Sequence, residues 1–151
     1  MQDKLSVLEE TLHQEVPLTE QMGVRVESHD GFELVLHADF EPNINIHGTA
    51  FGGSLYSICA VTCWGMLHLK FEEAGVAAQS VLGRASIIYM RPVTGDIQAR
   101  CRLPDDGSFA LFIERLKQGE NARIDLVAEI LTEEGVAVSY SGNYSAFIKR
   151  S

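Results

Sequence analysis

The chain of 151 residues is short of cations: 12 lysines and arginines stand against 21 aspartates and glutamates, a formal net charge of −9. A nucleic-acid-binding surface needs a basic stripe to displace counterions from phosphates, so this deficit argues against one. No run reaches the roughly 18 consecutive apolar residues of a membrane-spanning helix, so no membrane association is expected. Cysteine is scarce: Cys59, Cys63 and Cys101 are the only three. An odd count, with no apolar leader in the opening MQDKLSVLEE, points to a reducing, cytoplasmic setting rather than a disulfide scaffold. The four prolines, Pro17, Pro42, Pro92 and Pro104, all fall at breaks between periodic segments. No internal repeat, low-complexity tract or linker interrupts the chain, so residues 1–151 read as one domain.

What is present is an apolar share of 46% with 22% charged residues, enough for a core without staples. Its most informative part runs from Asn43 to Gly75: a polar loop, a glycine pair at Gly52 and Gly53, then a segment apolar on nearly every side. A surface helix shows one apolar stripe, whereas a helix apolar all round must be covered. Gly75 is a natural stop for it.

The remaining segments read as follows. Residues 2–14 form an amphipathic helix carrying Leu5, Leu8 and Leu12 on one face. Residues 24–29 and 32–38 form a hairpin about Asp30-Gly31, with Phe32, Leu34, Leu36 and Ala38 on one face. After the central helix only strands are expected, over 78–90, 96–103, 108–117, 122–132 and 136–148. In 122–130 the alternation of Ala122, Ile124, Leu126, Ala128 and Ile130 with polar residues is that of a sheet covered on one face. Consecutive strands at hairpin spacing give an antiparallel sheet that must curl around the one buried helix, an α+β architecture.

The Asn43–Gly53 loop is the best candidate site. Glycines let a backbone approach a ligand closely, and the N–H groups near Gly52, Gly53 and Ser54 can polarise a carbonyl oxygen at the start of a helix. The plainer alternative is a tightly packed loop with Thr49 or Ser54 as cap. His47 is a candidate general base. Asn45 can orient a water or a carbonyl, or make a local turn bond. Cys59 and Cys63 lack a charged neighbour in sequence and read as buried small hydrophobes. No metal-ligand spacing is found. Arg84, Arg91, Arg100 and Arg102 either collect phosphates or pair with the many acids.

The stretch from Asn45 to Ser57, N-x5-F-G-G-S-L-Y-S, resembles the N-x5-HGG opening of the hotdog thioesterase superfamily. RASIIYMRPVTGD, from Arg84 to Asp96, resembles the strand and turn that follow the central helix in those proteins. More narrowly, the segment is similar to a thioesterase domain that in some bacteria follows an acetyltransferase domain. The resemblance implies a curled antiparallel sheet around one long helix and a homodimer with its site at the subunit interface. Whether dimers pair further is left open. It also implies an acyl-CoA or acyl-carrier-protein substrate and no metal or redox cofactor. On this basis Asn45, His47, Gly52 and Gly53 are the expected catalytic residues. Phe51, Ser54, Tyr56, Arg84 and Arg91 are the expected substrate-binding ones, and Leu55, Tyr56 and Ile58 would line an acyl slot. Two positions depart from the family pattern. Phe51 stands where the motif has histidine, and Ala60 stands where the helix carries its acid. Asn45 and the glycine turn would polarise the carbonyl, while the water-activating group is missing from its usual place and would have to come from His47, Asp39 or a residue of a partner subunit. A non-catalytic acyl-CoA-binding module is therefore the alternative, and an enoyl hydratase ranks last.

Overall fold

In the computed structural model, residues 3–149 are described. The expected opening helix 2–14 is found as α1, Lys4–Glu15, capped by the Asp3 carboxylate accepting from the Ser6 N–H; Gln2 lies outside the described residues. There follow α2 (Leu18–Gln21), β1 (Arg25–His29), β2 (Glu33–Ala38), a 3-10 turn (Glu41–Asn43) and α3 (Gly52–Ala74). Then come β3 (Ala78–Tyr89), β4 (Ile97–Arg102), α4 (Ser108–Lys117), β5 (Ala122–Thr132) and β6 (Gly135–Ile148). The six strands form one antiparallel sheet in the order β1-β2-β4-β5-β6-β3.

α3 lies against β2, β3, β4, β5 and β6, and α1 touches it from another side. No residue from Ser54 to Phe71 is exposed. Ile58, Cys59, Thr62, Cys63, Met66 and Leu67 have no accessible surface, and full burial of each large apolar side chain among them contributes about 1.5–3 kcal/mol. The close approach of α1 and β2 depends on Gly65, where a Cβ would lie 3.1 Å from Leu34 Cδ2 and 3.5 Å from Leu8 Cδ2. Gly75 ends the helix in the left-handed region at φ 67°, and its N–H bonds back to the last turn.

Coverage of α3 is not uniform, however. Its half-exposed residues include Tyr56, Ser57, Ala60, Val61, Trp64 and His68. Their spacing of three and four makes one narrow stripe that starts beside the glycine pair. A helix apolar all round thus leaves one flank that this chain does not fully cover.

Two expectations are corrected. Residues 108–117 are the helix α4, not a strand. Phe109, Phe112, Ile113 and Leu116 recur at helical spacing, Phe112 and Leu116 are buried, and Phe112 stacks 6.1 Å from Phe71. The short segment conceals the difference between a period of two and one of 3.6 until the α3 terminus gives that face a partner. Phe32 does not join the inner face of β2. The Asp30 carboxylate accepts from the Phe32 and Glu33 N–H groups, and this turn leaves Phe32 exposed with the Lys70 ammonium 6.0 Å from its ring.

In β5 the expected alternation holds, with Ala122, Ile124, Leu126, Ala128 and Ile130 buried. β6 adds Tyr140 and Tyr144 to the same inner face. Tyr140 and Tyr144 join hydroxyls at 2.9 Å, and Tyr144 Oη donates to the Ala60 carbonyl at 2.9 Å. Burial pushes both phenols far up, so they remain neutral.

Candidate active site at the glycine turn

The loop ahead of α3 is held at both ends. Asn43 is buried, and its Nδ2 donates to the carbonyls of Met22 (2.8 Å) and Asp39 (2.7 Å). At the other end the Ala50 N–H donates to the Val93 carbonyl at 2.8 Å, and the Phe51 N–H to the Asn43 carbonyl at 2.7 Å. Asn45 builds the turn between them. Its Nδ2 donates to Thr49 Oγ1 at 2.9 Å, while its Oδ1 accepts from the N–H groups of His47 (2.8 Å) and Thr49 (3.2 Å). The Asn45 amide is therefore occupied inside its own loop, and it fixes the backbone that presents His47 and Phe51. Thr49 takes part in this turn and does not cap α3. The residue at the cap position is Phe51, whose side chain makes no capping bond.

That leaves the helix start bare. The first intrahelical bond is from the Leu55 N–H to the Phe51 carbonyl. Among the described residues no acceptor meets the N–H groups of Gly52, Gly53 or Ser54. These are donors at the positive end of a 23-residue helix, where an oxygen bearing partial negative charge is stabilised. The ring of Phe51, 56% exposed, lies over Gly53, where a Cβ would stand 2.5 Å from it. Tyr89, at the end of β3, lies over Gly52, and its hydroxyl donates to the Gly52 carbonyl at 2.8 Å.

His47 is exposed beside Ile46, which is 95% exposed. Tyr56 is half-buried and meets the Tyr140 ring edge-on, centroids 5.5 Å apart. Leu55 and Ile58 are buried in the core. Cys59 and Cys63 are buried, and desolvation pushes their thiols well above the usual range, which removes them as nucleophiles at neutral pH.

The arginines separate. Arg91 pairs with Glu134, Arg100 with Glu129 at 3.1 Å, and Arg102 with Glu33. Arg84 makes no ion pair among the described residues, but it lies opposite Asn143 on the face of the sheet away from α3. A bulge between Leu82 and Arg84 is responsible. Before it Ala78 and Ser80 point inward; after it Ala85 and Ile87 do. One inserted residue reverses every later side chain. It sends Arg84 outward and brings Tyr89 to the glycine turn. Sequence reasoning missed Tyr89 for this reason, since a regular strand would place it on the outer face. The one available signal was Gly83 inside a strand pattern.

A further cluster escaped the sequence because its members are far apart in the chain. His37 Nε2 lies 3.4 Å from Asp39 Oδ1 and 3.6 Å from Asp96 Oδ2. One ligand atom from each of the three residues lies within 4.8 Å of the others, close enough for a cation. The carboxylates already have partners: Arg25 donates to Asp39 at 3.0 Å, and the Phe40 N–H to Asp96 Oδ1 at 2.9 Å. The cluster thereby ties the end of β2 to the start of β4.

Comparison with known proteins agrees with this architecture. A protein of unknown function from Chlorobaculum tepidum is 35% identical, with 95% of this chain and 94% of that one covered, at a TM-score of 0.89. A structure from Shewanella oneidensis, described as a "putative thioesterase", is 31% identical over 95% and 96% of the two chains, at a TM-score of 0.87. A Pseudomonas aeruginosa protein described as a "probable thioesterase" shares the fold at 19% identity, a TM-score of 0.80 and 99% coverage of both chains. The curled six-stranded antiparallel sheet around one long helix is the hotdog fold of these thioesterase neighbours. With residues 5–148 matching its sequence profile, the chain belongs to the family described as "Putative thioesterase (yiiD_Cterm)".

Proposed function

We propose that the protein is an acyl-thioester hydrolase whose substrate is an acyl-CoA or an acyl-carrier protein. The observation that carries this reading is the set of unoccupied N–H groups at Gly52, Gly53 and Ser54. They suit the oxygen of a thioester carbonyl, which gains charge as water adds to its carbon. Asn45 serves as a positioning residue through the turn it holds. His47, on the same loop, activates the water, imidazole being the side chain that exchanges protons near neutrality. Phe51, Ser54 and Tyr56 flank the entering acyl group, while Arg84 and Arg91 are the cations proposed for phosphates of the carrier.

The working unit in this proposal is a homodimer. Among the described residues β3 is a 12-residue edge strand paired only with β6. It exposes Val81, Leu82, Ile88 and Tyr89, and Met90 follows them. A long apolar edge invites pairing. The half-exposed stripe of α3 borders the same glycine turn, so a second copy along β3 brings its own helix flank to the site. Light scattering should give twice the 16.6 kDa of one chain; a monomer at micromolar concentration would remove the shared site from the proposal.

The test is release of free thiol from acyl-CoAs of increasing chain length and from acyl-carrier proteins. Cleavage is expected, and Asn45→Ala should lower kcat about tenfold by loosening the turn. The second reading, an acyl-CoA-binding module without turnover, is favoured by Ala60, which leaves α3 without an acid before Glu72. It prevails if no thioester is cleaved while acyl-CoA raises Tm. At 100 times Kd the added stability is about 2.7 kcal/mol, or roughly 5–11 °C for a chain of this size.

A further inference from the structure

Between Tyr89 and the glycine turn lies a contact that the family assignment does not explain. The Tyr89 hydroxyl donates to the Gly52 carbonyl at 2.8 Å. That carbonyl belongs to the same peptide group as the Gly53 N–H, one of the unoccupied donors at the start of α3. A hydrogen bond at one end of an amide polarises the other end, so the N–H becomes a stronger donor. We infer that Tyr89 is a positioning residue for this site: its hydroxyl aims and strengthens the Gly53 N–H that receives the thioester oxygen.

The arrangement is specific in three respects. The Gly83 bulge reverses the facing of the later part of β3, and only after this reversal does Tyr89 point at α3. A Cβ on Gly52 would sit 3.4 Å from the phenol ring, so the ring lies close over the residue whose carbonyl the hydroxyl meets. The phenol is also a donor throughout the working pH range, because desolvation raises its pKa. The neighbouring peptide, which carries the Ser54 N–H, offers an internal reference. Its carbonyl, on Gly53, accepts from Ser57 Oγ at 2.8 Å, whereas the Tyr89 hydroxyl donates to Gly52.

The inference rests on the carbonyl-polarising role proposed for the glycine turn, and the test separates the two. In Tyr89→Phe the ring remains and only the hydroxyl is lost. The amide proton resonance of Gly53 should move upfield while that of Ser54 stays in place. If Gly53 moves no more than Ser54, the inference is overturned, whatever the activity. On a cleaved acyl-CoA, kcat should fall about two- to eightfold, the share of one oxyanion donor that polarisation supplies. KM should stay within twofold and Tm unchanged. A wild-type kcat in the variant would also overturn the inference. If the unaltered protein cleaves no thioester, the hydrolase reading fails, and the Gly53 and Ser54 resonances still decide whether Tyr89 polarises that peptide.

Discussion

Replacing Gly52 by proline should lower thioester cleavage by about 10²- to 10³-fold, the usual cost of removing one oxyanion donor, while Tm stays within a few degrees of wild type. The expectation follows from where Gly52 sits. It is the first residue of α3, and its N–H has no intrahelical partner to lose. Proline is favoured at this position because its fixed φ suits the first turn. The residue before a proline must be extended, and Phe51 already is, at φ −65° and ψ 132°. Gly52→Ala is the control. It keeps the N–H, and its added Cβ meets the Tyr89 ring at an ordinary 3.4 Å. A proline variant that folds and turns over at the wild-type rate would show that the Gly52 N–H does not receive the carbonyl. Loss of activity in the alanine control as well would trace the effect to crowding against Tyr89.

The largest expected effect on stability is at Gly142, on the inner face of β6. A Cβ there would lie 2.7 Å from Tyr140 Oη and 2.8 Å from Tyr144 Cε1. Both rings are fully buried, and their hydroxyls are fixed to each other and to the Ala60 carbonyl, so neither can swing away. Gly142→Ala should cost about 1–3 kcal/mol through overpacking, which corresponds to roughly 2–12 °C in Tm for a domain of this size. Adding Tyr140→Phe removes the nearest atom, so the double variant should be more stable than the sum of the two single losses. Thermal unfolding of the four proteins measures this coupling, and strict additivity would mean that the Tyr140 hydroxyl is not what Gly142 accommodates.

The two sites belong to one arrangement. The tyrosine pair sits beneath the middle of α3, and the Tyr144 hydroxyl takes the carbonyl of Ala60, the position where the related motif carries an acid. The side chain at 60 is a methyl group on the half-exposed stripe of the helix. Restoring a carboxylate there would therefore place it on the flank that a second copy is proposed to cover, and not in the tyrosine cluster.

Much of the fold was legible in the sequence. α3 announced itself through a length of apolar chain that no amphipathic pattern explains, and Gly75 marked its end. β5 was legible because strict alternation has only one structural reading when one face is buried. The segment 108–117 was not. Ten residues containing Phe109, Phe112, Ile113 and Leu116 fit either period tolerably, and burial against Phe71 decided for the helix. Within the site, the glycine pair and its loop could be read from the motif, because an unoccupied helix start is a property of local backbone. The internal bonding of Asn45 also lies within five residues, and a local turn was one of the two readings open to it.

The sequence by itself determined that one long helix must be wrapped by an antiparallel sheet and that its start would be a glycine turn with free N–H groups. Both follow from side-chain periodicity and from the unpaired donors of any helix terminus. Only the tertiary structure decided which residues meet that turn. The bulge at Gly83 set the facing of Arg84 and Tyr89, and pairing of β2 with β4 drew His37, Asp39 and Asp96 together. The physical reason is that facing and register belong to pairs of strands. They depend on which residues align across the ladder, and a single strand read alone does not contain that alignment.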